Sequence, residues 1–379
     1  MAIAWSRPEA FGAWVRLDDA TLLAVDPQLA GRLGVAHGTP SRAHGPLEVH
    51  LAVTARCPAP CTGCYLDARP DGLEPSLAEL RERLRAASAA GASTVAFGGG
   101  EPLTRRDLHE LASEARSLGL VPVLTTSGIG LTPERARELS GFAQINVSHD
   151  GVGAAYEAVR GFDGRAHAER AIALLSSAGI AVGVNLVLTR GSVGALEATA
   201  ARVVELGAGE LQLLRYKPAG RADDPSYEER RLDEAEVATL WPTLERLSAS
   251  RALRIRIDCA MVPLLSEGLL AASREPGKAL AKLGVFGCEA GRHLGAVRVD
   301  GSPAACSFFS IESARTSLLH GASATPAKLR AYHADPPEPC RSCALFSVCR
   351  GGCQIVSRRA TGGAFAPDPE CPSVRKSRA

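Results

Sequence analysis

Strand-like and helix-like segments alternate from residue 47 to about residue 255, and this order restricts the fold more than any other feature. Strand-like runs are Val49–Thr54, Thr94–Phe97, Val121–Thr125, Gln144–Ser148, Ala181–Thr189 and Glu210–Tyr216. Helix-like runs lie between them, at Leu77–Ala90, Leu103–Leu118, Pro133–Leu139, Arg165–Ala178 and Gly194–Leu206. Ser76 with Glu79 three residues on reads as a capping box. Thr132 before Pro133 pairs a good N-cap with proline in the first helical turn. Such alternation implies a parallel sheet with right-handed crossovers. Six strands of this kind make an open or partial α/β barrel, with its chemistry at the C-terminal strand ends.

The first of those ends carries Cys57-Pro-Ala-Pro-Cys61-Thr-Gly-Cys64. Three thiolates from one loop suit an iron–sulfur cluster, which takes soft sulfur ligands. No fourth ligand lies nearby in sequence. An iron without a protein ligand is free to bind a substrate or cofactor.

At 379 residues the chain has room for two or three domains. Residues 1–45 read as a short appendage, with strands at Trp14–Leu17 and Leu22–Val25 and a Gly/Pro/Ser-rich link from His37 to Gly45. Residues 46–255 form the barrel core, residues 256–284 a bridging segment and residues 285–379 a cysteine-rich tail. A formal net charge of +2 without a basic stripe implies no nucleic-acid partner. No apolar run reaches membrane-spanning length, and the N-terminus lacks the pattern of a signal peptide. A cytoplasmic location is expected, where disulfides are rare. Eleven cysteines in that setting point to metal or redox chemistry.

Seven of the eleven lie in the tail, at Cys288, Cys306, Cys340, Cys343, Cys349, Cys353 and Cys371. Spacing alone leaves three readings. Zinc takes C-x2-C half-sites, disulfides run against the expected compartment, and iron–sulfur clusters agree with the upstream triplet. A tail so poor in aliphatic runs needs staples, and metal clusters supply them.

Together these motifs resemble the radical SAM enzymes, and the tail resembles their SPASM extension. The resemblance covers roughly residues 47–371. It implies a partial (β/α)6 radical SAM barrel followed by a cluster-stapled SPASM domain. In that family Cys57, Cys61 and Cys64 would hold a [4Fe–4S] cluster whose open iron chelates S-adenosylmethionine. Tyr65 matches the aromatic position whose backbone meets adenine. Gly98, Gly99, Gly100, Glu101 and Pro102 match the motif that contacts the SAM amino group. Ser127, in Thr126-Ser127-Gly128, and Ser148 with Asp150 match pocket positions at the third and fourth strand ends. Arg160 falls where such enzymes carry an arginine for the SAM carboxylate, and Asn185 is a weaker correspondence on the fifth strand. In the tail, Cys340, Cys343, Cys349 and Cys371 would hold one auxiliary [4Fe–4S] cluster. Cys288, Cys306 and Cys353 would hold another. Counting leaves one spare cysteine, Cys259, and one vacant ligand position, which Cys259 is read as filling.

Plainer readings stand beside these. The glycine run alone is a tight turn, Ser148 and Asp150 alone an Asx turn, and Arg160 alone a solvated helix residue. Tyr65 and Cys259 alone are ordinary packing residues. The family resemblance implies reductive SAM cleavage to a 5′-deoxyadenosyl radical. It further implies modification of a peptide or protein, foremost a ribosomally made precursor peptide receiving a thioether or carbon–carbon cross-link. An electron donor of the flavodoxin or ferredoxin type is implied as well. The short appendage points to a separate leader-recognition protein. Alternatives are formylglycine formation as in anaerobic sulfatase maturases, tetrapyrrole-type small-molecule oxidation, and a nonenzymatic cluster carrier. Ser307 stands where the sulfatase maturases commonly carry an aspartate base, which ranks that reading low.

Overall fold

The computed structural model describes residues 2–9, 11–18, 21–38, 45–250, 252–277, 280, 285–310 and 327–378. Most of the link expected between His37 and Gly45 lies outside them.

Three antiparallel strands open the chain: β1 (Ile3–Glu9), β2 (Gly12–Leu17) and β3 (Leu22–Val25). A short helix, Pro27–Arg32, follows, with Asp26 as its N-cap. Among the described residues, Ala13, Val15, Val25 and Ala30 form the buried core of this unit. So small a core offers little apolar burial. Two buried arginines fasten the unit to the barrel. Arg7 donates to the carbonyls of Gly45 and Gly91, each at 3.1 Å, and Arg16 to the Ser93 carbonyl at 3.0 Å. Ser93 immediately precedes the second barrel strand, so the appendage sits at the N-terminal end of the sheet. Burial lowers the pKa of both arginines.

The six expected barrel strands are present as β4 (Glu48–Thr54), β5 (Thr94–Gly99), β6 (Val121–Thr126), β7 (Gln144–Ser148), β8 (Val182–Leu188) and β9 (Glu210–Arg215). Beyond them the sheet grows at both edges. β10 (Arg254–Ile257) runs parallel to β9, and the 255/256 division drawn from sequence falls inside it. β11 (Leu294–Val297) runs parallel to β4, followed by antiparallel β12 (Pro303–Cys306) and β13 (Phe309–Ser310). Among the described residues the order is β10-β9-β8-β7-β6-β5-β4-β11-β12-β13. The tail therefore continues the sheet of the barrel. Its strands have two to four residues, too few for a period of two to show in sequence.

Alternation along each strand separates two faces. On β4, Val49, Leu51 and Val53 are buried in the main core, where Leu80 and Leu84 of the helix Leu77–Ala89 also lie. Burying one such leucine contributes about 1.5–3 kcal/mol. The expected capping box of that helix is present, with Ser76 accepting from the Glu79 amide and Glu79 from the Ser76 amide. Glu48 and His50 point to the opposite face, the lumen of the curled sheet. The lumen floor is polar: Gln144 donates to Asn146 and Glu210, and Arg254 and Arg256 pair with Glu210.

Candidate active site

The cysteine triplet lies on the loop after β4, at the C-terminal ends of the strands. Distant residues fix its backbone. Arg221 donates to the Cys61 carbonyl at 2.9 Å and the Ala68 carbonyl at 3.0 Å, while its own amide donates to the Cys64 carbonyl at 2.8 Å. Gly220, at φ +56°, lies so close to the Cys64 and Tyr65 carbonyls that a Cβ would collide with them. The Thr62 amide donates to the Arg160 carbonyl, and Arg230 donates to the Thr62 hydroxyl. Burial, with the charges of Glu101, Cys61 and Cys64, pushes the Cys57 thiol up to about 11 against a backbone hydrogen bond that lowers it. Binding a metal there must displace the proton.

At the end of β5, Gly99 has φ +120° and abuts the Thr54 carbonyl, while Gly100 abuts that of Arg56. Any larger residue would push the second strand end away from the triplet loop. Glu101 is 1% exposed and accepts four hydrogen bonds. Leu103 N and Thr126 Oγ1 donate to one oxygen, and the amide and hydroxyl of Ser127 to the other. Two carboxylate oxygens offer about four lone-pair sites, so Glu101 is saturated. It ties the ends of β5 and β6 together, with Pro102 opening the turn that follows.

At the end of β7, Asp150 is fully buried. Its carboxylate accepts from Arg160 Nε and, at 2.7 Å, from the Val187 amide. Arg160 Nη1 lies 3.6 Å from Cys61 Sγ. Burial lowers the pKa of this guanidinium; Asp150 and the Cys61 sulfur outweigh it and raise the pKa. Asp150 thus aims Arg160 at the triplet. Ser148 is paired with Asn185 across β7 and β8, and the buried Asn185 Oδ1 has no partner among the described residues. His149 points away, buried beside Glu169 and Tyr156, and burial lowers its pKa.

The remaining cysteines gather into two sets. Cys259 lies where Cys288 and Cys353 act on its charge, and Cys288 likewise feels Cys306 and Cys353. Cys340, Cys343, Cys349 and Cys371 form the second set by the same criterion. Burial is the largest cause raising Cys288 to about 12 and both Cys306 and Cys340 to about 11. All eleven cysteines are unpaired as disulfides. Among the described residues no three His, Cys, Asp or Glu side chains converge closely enough for a single metal ion.

Several site-building residues escaped the sequence reading. Arg215, 4% exposed at the end of β9, forms a fork on Asp368 at 2.6 and 3.0 Å and pairs with Glu370 at 2.8 Å. Asp368 in turn accepts from the Cys353 amide. Lys217 pairs with Asp258, beside Cys259, and lies 4.3 Å over the Phe308 ring. Phe308 packs against Tyr65 at 4.5 Å, joining the triplet loop to the tail. Arg221 and Lys217 follow a strand end on the catalytic side of a barrel, the one local signal available. Arg215 and Asp368 are 153 positions apart, and no local pattern links them.

A parallel, curled sheet with a cysteine triplet after one strand and Gly-Gly-Gly-Glu-Pro after the next defines a radical SAM barrel. The Radical SAM superfamily model matches residues 51–201. The chain belongs to this superfamily and is an enzyme. It is 31% identical over 339 residues to the PqqA peptide cyclase of Streptomyces rochei, covering 86% of this chain and 89% of the relative. It is 32% identical to the mycofactocin maturase MftC of Mycobacterium ulcerans, covering 73% and 74%. In fold it resembles Streptococcus suis SuiB bound to its precursor peptide SuiA, with a TM-score of 0.74 at 15% identity over 97% of this chain and 98% of that one.

Proposed function

We propose that the chain modifies a ribosomally made precursor peptide, forming a cross-link within it by SAM-dependent radical chemistry. The observation that carries this reading is the near full-length similarity to a peptide cyclase, shared across barrel and tail. The donor sets fit the cofactors. Cys57, Cys61 and Cys64 would hold a [4Fe–4S] cluster with one iron left for S-adenosylmethionine, and the two tail sets would hold auxiliary [4Fe–4S] clusters. Tetrahedral zinc draws four ligands around one ion at about 2.3 Å. A four-iron cluster takes its thiolates on separate irons, and cysteine is the donor type in all three sets.

When bound, the SAM cluster supplies a one-electron reduction that yields a 5′-deoxyadenosyl radical. The chain's own residues supply position. Arg221 and the Arg160 carbonyl hold the triplet loop, Glu101 binds two strand ends together, and Arg160 places a fixed positive charge beside Cys61. That charge suits the SAM carboxylate. Ser148 and Asn185 Oδ1, without a partner among the described residues, offer polar groups on the lumen side.

A low-potential flavodoxin or ferredoxin would deliver the electron, in a cytoplasm that keeps thiols reduced. Among the described residues no helix is long and apolar enough to cross a membrane. The appendage exposes Ile3, Phe11, Leu23, Leu29 and Leu33, a surface suited to a leader segment or a separate leader-recognition protein. The test is mass spectrometry of a precursor encoded beside the gene, after anaerobic incubation with reconstituted enzyme, reductant and SAM. A loss of two hydrogens with stoichiometric 5′-deoxyadenosine is expected. SAM cleavage with an unaltered precursor contradicts the reading.

A further inference from the structure

Two cations leave the end of β9 and enter the tail. Arg215 is the last residue of the strand, and Lys217 follows two positions later. Both are buried, at 4% and 7% exposure. Arg215 donates to the Ala260 carbonyl at 3.2 Å and forks onto Asp368, which accepts from the Cys353 amide at 2.9 Å. Lys217 Nζ donates to Asp258 Oδ2, while Asp258 Oδ1 accepts from the Ala260 amide at 2.9 Å. Cys259 lies between these two contacts in sequence. The Lys217 ammonium also sits 4.3 Å over the ring of Phe308, two residues past Cys306. Lys217 therefore meets the segments that carry Cys259 and Cys306, and Arg215 reaches Cys353 through Asp368.

Pinning the Cys259 loop requires less than this. β10 is already joined to β9 by backbone pairing from Arg254↔Glu210 to Ile257↔Leu213, and the Asp258 amide donates to the Leu213 carbonyl at 2.9 Å. A buried ammonium is costly to desolvate, and an apolar side chain of similar length would fill the same space without that cost. What only the lysine brings is its charge.

The charges around the two tail sets differ. Lys217 acts on Cys259, Cys306 and Cys353, and Arg215 on Cys353. Asp258 opposes Lys217 at Cys259. The largest charges acting on Cys340 and Cys349 are neighbouring cysteines and Asp368, all negative. Reducing a cluster adds one negative charge to it, so a fixed cation nearby favours the reduced form.

We infer that Lys217 sets the reduction potential of the cluster that Cys259, Cys288, Cys306 and Cys353 would hold, keeping it above that of the other tail cluster. This rests on the three-cluster reading proposed above. Lys217 acts through the cluster and keeps its proton. Reduction is the gain of one electron from an external reductant, with no bond made or broken. Asp258 pulls the potential the other way.

The test is a redox titration with dithionite, followed by electron paramagnetic resonance. It uses reconstituted full-length protein carrying Cys57→Ala, so that the tail signals stand alone. Lys217→Met, Lys217→Arg and Asp258→Asn are compared in that background, with iron counted for each. In Lys217→Met the more positive midpoint should fall, making reduction less favourable by roughly tenfold or more at a given solution potential, while the lower midpoint stays in place. Lys217→Arg should restore the higher midpoint, and Asp258→Asn should move it upward. Unmoved midpoints with iron intact overturn the inference, as does a shift confined to the lower midpoint or one of the same sign in Lys217→Met and Asp258→Asn. Loss of about four iron atoms in Lys217→Met also overturns it, by showing that the ion pair is structural. If protein with Lys217 intact takes up no tail iron, the three-cluster reading itself fails, and the iron count tells that failure from this one.

Discussion

Barrel and tail place their cysteines by opposite means. In the barrel, a continuous apolar core holds the strands, and arginines from distant loops clamp the triplet backbone. In the tail, helices of four to eight residues surround two sets of thiols, and the buried clusters beside Cys288 and Cys353 are small. Isolated helices so short are unstable. A fork of buried charge, Arg215 on Asp368 and Glu370, takes over part of the task that packing performs in the barrel. The barrel is held by its own apolar core, while among the described residues the tail lends that core only Val297, Leu345, Val348 and Cys349 and otherwise has small buried clusters around its thiols.

The largest break in that comparison comes from removing one cysteine on each side. Cys57→Ala should abolish SAM cleavage and leave the thermal unfolding of the barrel unchanged. Cys349→Ala should release auxiliary iron and open residues 327–378 to protease, with SAM cleavage persisting. Limited proteolysis beside a 5′-deoxyadenosine assay separates the two outcomes. Next comes Arg215→Met, which strands two carboxylates in the interior. Breaking such a buried pair costs about 3–5 kcal/mol. Hydrogen exchange should show the loss in the tail before the barrel. Leu84→Ala, at a fully buried core position, should cost about 2–5 kcal/mol and lower the barrel's Tm without changing iron content.

Acid sharpens the contrast by a smaller amount. Burial, aided by Arg350, pushes His333 in the helix Ala327–Ala334 down to about 4, against an opposing contribution from Glu289. An unfolded histidine titrates near about 6.5. The unfolded chain therefore takes up its proton first. The stability present above pH 6.5 is lost as the pH falls through the window between about 6.5 and about 4. Tail unfolding followed by hydrogen exchange should accelerate across that window, and His333→Gln should flatten the response.

What could be read from sequence divides along the same line. β4–β9 were legible because long alternating runs carry both the strand period and the core. The triplet and Gly98–Pro102 were legible because their residues are contiguous. β11, β12 and β13 were not, since Leu294–Val297 and its neighbours are too short to show a period. β1 was hidden by Pro8 within Ile3–Glu9, a residue that lowers strand propensity but is tolerated at a sheet edge. The Arg221 clamp and the Lys217–Asp258 pair depend on contacts 160 and 41 positions apart, which only folding brings together.

The proposed function requires three sets of cysteines to hold three four-iron clusters. Iron and sulfide counted per chain after anaerobic reconstitution test it directly, in wild type and in Cys57→Ala, Cys259→Ala and Cys349→Ala. About twelve of each are expected in wild type. Cys57→Ala and Cys349→Ala are each expected to lose about four iron atoms. About four iron atoms with stoichiometric zinc in wild type would contradict it.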